Sequence, residues 1–116
     1  MSSASPITTH VLDTALGRPA AGVEVQLARR SADNRWDIMA TGITDVDGRI
    51  VNLLPPGSLT AGVYCLTFAT GVYFHRQGIA TFYPTVAIEF QIVSAAEHYH
   101  IPLLVSPFGY ITYRGS

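Results

Sequence analysis

Cysteine occurs once in the 116 residues, and charged side chains make up only 13% of them. A single cysteine builds no disulfide framework. Cys65 lies in the apolar run "VYCLTF" and reads as a buried small hydrophobe, not a reactive thiol. Seven basic residues against eight acidic ones give a net charge of −1. No basic patch is present for nucleic acid, and no acidic run forms a charged tail. No stretch approaches the roughly 20 apolar residues of a membrane span. The opening "MSSASP" has neither the basic start nor the apolar centre of a secretory signal. These absences leave a soluble, cytoplasmic protein as the expectation, without nucleic-acid or membrane partners. The peroxisome is the alternative address for a eukaryotic source, although "RGS" is not its usual terminal signal.

What is present is apolar. Such residues make up 48% of the chain, enough to bury a core within one domain. A surface this poor in charge is expected to be partly covered by another subunit. Met1–Pro6 is small and polar and reads as a disordered segment ahead of a domain over 7–116. Turn signals then recur at about the eight-to-twelve-residue spacing of an all-β sandwich.

Strands are expected at "ITTHVLD", "VEVQLAR", "RWDIMATGIT", "RIVNLL", "VYCLTFAT", "VAIEFQIV", "YHIPLLV" and "YITYR". The fifth is a near-continuous apolar run, as for a strand covered on both faces. Pro102 suggests an edge position or a bulge in the seventh. "GRPAAG" reads as a loop and "DVDG" as a tight turn. Only "GVYFHRQ", Gly71–Gln77, reads as a helix, with Gly78 just past its end. About eight strands and one short helix make an all-β, two-sheet sandwich.

The polar groups with chemistry in them are His10, His75, His98, His100, Arg49 and Ser116. In an extended first strand His10 shares its face with Thr8 and Leu12, opposite Thr9, Val11 and Asp13. His98 and His100 share a face across Tyr99. A His-x-His pair with a remote His is the raw material of a zinc site, but no cysteine or carboxylate cluster converges with it, so no metal is expected. No serine sits in a strand-turn-helix elbow, which argues against Ser116 as a nucleophile. Arg49, directly after the "DVDG" turn, is either a solvated edge charge or a planar fork for an anionic or imide-like ligand.

Three segments, "THVLDTALGRPAAGV", "TDVDGR" and "YHIPLLVSPFGYITYRGS", closely resemble the 5-hydroxyisourate hydrolases, the transthyretin-like enzyme family. The resemblance runs from Ile7 to Ser116, and "YRGS" sets it apart from the hormone-carrying transthyretins. It implies a transthyretin-like sandwich of two four-stranded sheets with a short helix between the fifth and sixth strands. It implies a homotetramer, a dimer of dimers, with a central channel and active sites at the dimer–dimer interface. The last strand would then line the channel. The implied substrate is 5-hydroxyisourate, hydrolysed to 2-oxo-4-hydroxy-4-carboxy-5-ureidoimidazoline in urate degradation without a cofactor.

By motif, the resemblance places His10, Arg49, His100 and Ser116 in the catalytic set. It places Tyr113, Arg114 and Gly115 against the substrate, with Ile111 beside them where the family usually carries a small polar residue. One of His10 and His100 would take a proton from water, histidine being suited to this near neutral pH. Arg49 and Arg114 would hold ring carbonyls and developing negative charge. The alternative is a transthyretin-like carrier of a small ligand without catalysis.

Overall fold

A computed structural model describes residues 5–116. It contains nine strands and one helix: β1 (Ile7–Asp13), β2 (Arg18–Pro19), β3 (Glu24–Arg30), β4 (Trp36–Ile43), β5 (Arg49–Ile50), β6 (Gly62–Phe68), α1 (Thr70–His75), β7 (Val86–Ile92), β8 (Tyr99–Ser106) and β9 (Gly109–Thr112). They form two sheets. The first runs β2-β1-β8-β9, with β5 also paired to β1, and the second runs β4-β3-β6-β7.

The sandwich forms because alternate residues are apolar. In β1, Ile7, Thr9, Val11 and Asp13 point into the interior, where Thr9 donates its hydroxyl to the Ile101 carbonyl at 2.6 Å. In β8 the inward residues are Tyr99, Ile101, Leu103 and Val105. Val25 and Leu27 of β3 and Tyr64, Leu66 and Phe68 of β6 meet them from the other sheet. A period-two pattern puts one such set on each inner face and leaves the other set outside.

β1 and β8 run parallel in register, Thr8 beside His100 and His10 beside Pro102. This pairing joins segments about ninety residues apart, and it sets the two histidine-bearing strands side by side. The helix is anchored by a buried contact: the Tyr73 hydroxyl donates to Asp13 Oδ2 at 2.7 Å, while Asp13 Oδ1 accepts from the Ala15 and Leu16 amides. The helix starts one residue earlier than expected and ends two earlier, and Gly78 follows it at φ +70°.

Several expectations need correction. Met1–Ala4 lie outside the described residues, but Ser5 and Pro6 are held in place. Ser5 is buried, its hydroxyl bonds the Ile7 carbonyl and accepts from the Leu54 amide, and Pro6 accepts from the Tyr99 amide. "RIVNLL" contributes only Arg49–Ile50 as strand, because "PPGSL" turns the chain away, and the "GRPAAG" loop supplies β2. These two short strands make the first sheet five-stranded.

β6 is covered on one face only. Val63, Cys65 and Thr67 point outward and are half-buried, so Cys65 is not a core residue. Among the described residues no strand or helix packs over that side of the second sheet, which leaves the apolar run covered on one face.

Pro102 is not in an edge strand, since β8 lies between β1 and β9. Its missing N–H falls in a gap instead. The Pro102 and His100 carbonyls both face the last segment, accepting from Thr112 Oγ1 at 2.8 Å and the Gly115 amide at 2.8 Å. β9 ends at Thr112, and the ladder resumes only at the His100–Gly115 bridge. The strand is interior, but at this residue it has no neighbour to donate to.

Candidate active site

The even-numbered residues of β1 and β8 form the outward face of the first sheet. Thr8, His10, His100 and Pro102 lie there side by side. Arg49 joins them because β5 pairs with β1 at His10–Arg49. The "DVDG" turn sets that register. The Asp45 carboxylate accepts from the Asp47 and Arg49 amides, at 2.9 and 3.0 Å, and the turn closes through Gly48 N–H to the Asp45 carbonyl. The turn then docks on β1: the Val11 amide donates to the Gly48 carbonyl at 2.7 Å.

His10 completes that docking. Its Nε2 lies 2.8 Å from the Asp47 carbonyl oxygen. A carbonyl only accepts, so Nε2 carries the proton and a neutral His10 presents a bare Nδ1.

A cleft of about 160 Å³ opens beside this point, lined by Thr8, Thr9, Arg49, Val51, His98, His100 and Ser116. His100 is half-buried in it. Burial, followed by the neighbouring His10, His98 and Arg49, lowers its pKa from the ordinary 6.5. Its imidazole is therefore neutral near neutral pH and able to accept a proton. His100 Nδ1 is 2.8 Å from the Thr8 hydroxyl, which leaves Nε2 for the cleft. Thr8 Oγ1 also meets His98 Nε2, at 3.1 Å.

The last segment closes one side. Gly115 bridges His100 and lies against its ring, and Ser116 reaches the cleft wall. Ile111 and Tyr113 project outward on the same face, 63% and 56% exposed. A larger depression, about 620 Å³, lies over Gln26, Thr41 and Thr67 on the outer face of the other sheet. It holds no histidine and only one carboxylate, so the smaller cleft is the candidate site.

His10, Arg49, His100, Gly115 and Ser116 are thus brought together. Arg114 is not. Alternation turns it away from Tyr113 and Gly115, and its guanidinium bonds Glu97 Oε1 at 2.9 Å and stacks 4.4 Å above the Tyr99 ring. In this chain it fastens the end segment to the β7–β8 connection and does not reach the cleft. Thr8 and Val51 were missed by sequence reasoning, and His98 was left outside the set. Among the described residues, no group of three or more His, Cys, Asp or Glu side chains is placed to hold a metal ion.

A family description, HIUase/Transthyretin family, matches residues 7–115. That match spans nearly the whole chain. The chain belongs to the HIUase/transthyretin family. Within it, the chain is 47% identical over 110 residues to a 5-hydroxyisourate hydrolase of Salmonella dublin, covering 95% of this chain and 80% of that protein. It is 45% identical to the mouse 5-hydroxyisourate hydrolase over 113 residues, covering 97% and 96%.

Among solved structures, sea bream transthyretin in complex with thyroxine superposes with a TM-score of 0.91 at 34% identity, covering 96% of this chain and 95% of that one. The 5-hydroxyisourate hydrolase of Klebsiella pneumoniae superposes with a TM-score of 0.82 at 39% identity, covering 95% and 98%. The HIUase/transthyretin scaffold therefore serves both a hydrolase and a transthyretin, and the side chains on the outward face must decide between them.

Proposed function

We propose that the protein is a 5-hydroxyisourate hydrolase acting in urate degradation. The observation that carries this reading is the neutral, half-buried His100 in one cleft with Arg49 and Ser116. A carrier needs no such base. A hydrolase needs a proton acceptor for water and a cation for the developing oxyanion.

In this mechanism water adds to a carbonyl of the substrate's six-membered ring. His100 Nε2 takes the proton from that water as the new C–O bond forms. Arg49 bonds the carbonyl oxygen and stabilises its negative charge in the tetrahedral intermediate. The intermediate then collapses, the C–N bond breaks, and the ring nitrogen receives the proton back from His100. His10, held by Asp47, orients water or substrate through its bare Nδ1. Ser116 hydrogen-bonds the heterocycle, Tyr113 walls the site, and no cofactor enters.

The assembly is a homotetramer in this reading, a dimer of dimers whose sites lie at the dimer–dimer interface. The exposed apolar residues beside the cleft, Ile111 and Tyr113, support it, because a partner would cover them.

Ultraviolet decay of freshly generated 5-hydroxyisourate tests the reading. Wild type is expected to accelerate the decay, and His100→Ala to lose most of that acceleration with its fold intact. Wild-type decay at the spontaneous rate would leave the carrier as the better account.

A further inference from the structure

Thr8 is an unremarkable residue in sequence, and nothing in the proposed chemistry uses it. Yet its hydroxyl is buried between two imidazoles, with His100 Nδ1 at 2.8 Å and His98 Nε2 at 3.1 Å. The parallel β1–β8 pairing puts Thr8 directly beside His100, while His98 stands at the exposed entrance of β8. A threonine hydroxyl owns one proton. It donates to one ring and accepts from the other, so of the two ring nitrogens facing it only one carries a hydrogen while both rings are neutral.

Two arrangements satisfy that count. In one, His98 Nε2–H donates to Thr8, and Thr8 donates to a bare His100 Nδ1. Both rings are then Nε2–H tautomers, and His100 has no lone pair for water. In the other, His100 Nδ1–H donates to Thr8, and Thr8 donates to a bare His98 Nε2. Both rings are then Nδ1–H tautomers, and His100 Nε2 is free to act as a base. The two histidines therefore hold the same tautomer and change it together.

We infer that Thr8 is a positioning and relay residue that locks the His98 and His100 tautomers in step and carries the catalytic proton between them. The inference rests on His100 being the base of the proposed hydrolase. When His100 Nε2 takes the proton from water, its Nδ1 proton passes to the Thr8 oxygen. The Thr8 proton passes in turn to His98 Nε2. His98 becomes the imidazolium and His100 is left as the neutral Nε2–H ring. The same shifts run backward as His100 Nε2 protonates the leaving ring nitrogen, so no proton is gained or lost over a turnover.

The arrangement suits the surroundings. His100 is half-buried and faces His10, His98 and Arg49, all of which disfavour charge on it. His98 is exposed, next to Glu97, so a positive charge is better solvated there. Arg114 is the opposing charge, reaching the His98 carbonyl at 3.5 Å, but its guanidinium is paired with Glu97.

The test compares the intact protein with Thr8→Val, Thr8→Ser and His98→Ala. Imidazole ¹⁵N shifts at neutral pH are expected to show one shared tautomer for His98 and His100 in wild type and Thr8→Ser. Thr8→Val, which keeps the shape and loses the hydroxyl, is expected to uncouple them. On 5-hydroxyisourate, Thr8→Val is expected to lower kcat at least tenfold with KM little changed. Thr8→Ser should stay within about twofold of wild type, and added imidazole should restore part of the His98→Ala loss.

Opposite tautomers in wild type, or a Thr8→Val kcat equal to wild type, overturns the relay. A wild type that does not accelerate the decay overturns the hydrolase instead, and the ¹⁵N comparison still decides whether the rings are coupled.

Discussion

Gly115 lies against the edge of the His100 ring so closely that a Cβ built on it would stand 2.7 Å from Cδ2 and 3.1 Å from Pro102 Cγ. The His100–Gly115 bridge fixes that distance from the backbone side, so the glycine cannot move away without breaking the bridge. Gly115→Ala is expected to push the His100 ring out of line or release the end segment. The 5-hydroxyisourate decay rate should fall at least tenfold. Thermal denaturation should shift little, since the contact is outside the core. A fully active Gly115→Ala would mean that the ring has slack the structure does not contain.

The lowered pKa of His100 has two consequences for pH. A base works only while unprotonated, so the acid limb of kcat/KM should fall below the ordinary histidine value of 6.5. Stability follows the same proton. Between the folded and unfolded pKa values the unfolded chain binds more protons at this position, so stability rises with pH across that window. It is fully present above 6.5 and is lost as pH falls through the folded pKa. His100→Asn should flatten this part of the stability profile in urea titrations from pH 5 to 7. An acid limb at or above 6.5 would remove His100 as the base.

Arg49 should not tolerate lysine. Its fork is presented beside His10 by the Asp45 turn, and an ammonium cannot make two parallel bonds to a planar heterocycle. Arg49→Lys is expected to cost about ten- to a hundredfold in kcat/KM, an effect of about 1–3 kcal/mol on the transition state. Steady-state decay kinetics over a substrate series measures it, and a loss under twofold contradicts the role.

Gly48 should be the most sensitive position of that turn. It sits at φ +75°, and an added Cβ would come within 2.3 Å of the Val11 carbonyl. Gly48→Ala forces the turn off β1, taking the Asp47 carbonyl from His10 and moving Arg49. Loss of stability and loss of activity are expected together, unlike in Gly115→Ala. Urea midpoints and decay rates on the same samples separate the two behaviours.

The Asp13–Tyr73 bond should contribute to stability and not to rate. Burial and then the Asp13 hydrogen bond raise the phenol above its usual 10.0, so the hydroxyl stays a donor throughout the working range. Tyr73→Phe leaves a buried carboxylate oxygen one partner short and should cost about 1–3 kcal/mol in urea denaturation. kcat should be unchanged.

Much of the cleft was legible in the sequence because it follows simple alternation. Val11 and Thr9 inward, His10 and Thr8 outward, is the strand period applied to "ITTHVLD", and "DVDG" announces the turn that delivers Arg49. The same alternation separates Arg114 from Tyr113 and Gly115, yet the motif "YRGS" taken as a unit puts Arg114 with its neighbours. The face of Thr8 was legible, but its place between two histidines was not. Its importance arises from the parallel pairing of β1 with β8, and no local pattern announces which distant strand will lie beside a threonine. Pro102 misled for a related reason: the rule that proline seeks an edge holds for the N–H itself, and here the neighbouring strand ends one residue too early to need it.

In β1 and β8 the odd-numbered residues build the interior, while the even-numbered ones face outward with the candidate site residues. Selection can therefore rewrite the outward set one position at a time without renegotiating the packing beneath it. On the proposed reading, a histidine exchanged on that face would remove the reaction and leave the core beneath it packed as before. A sheet arranged this way invites descendants that keep its shape and abandon its trade.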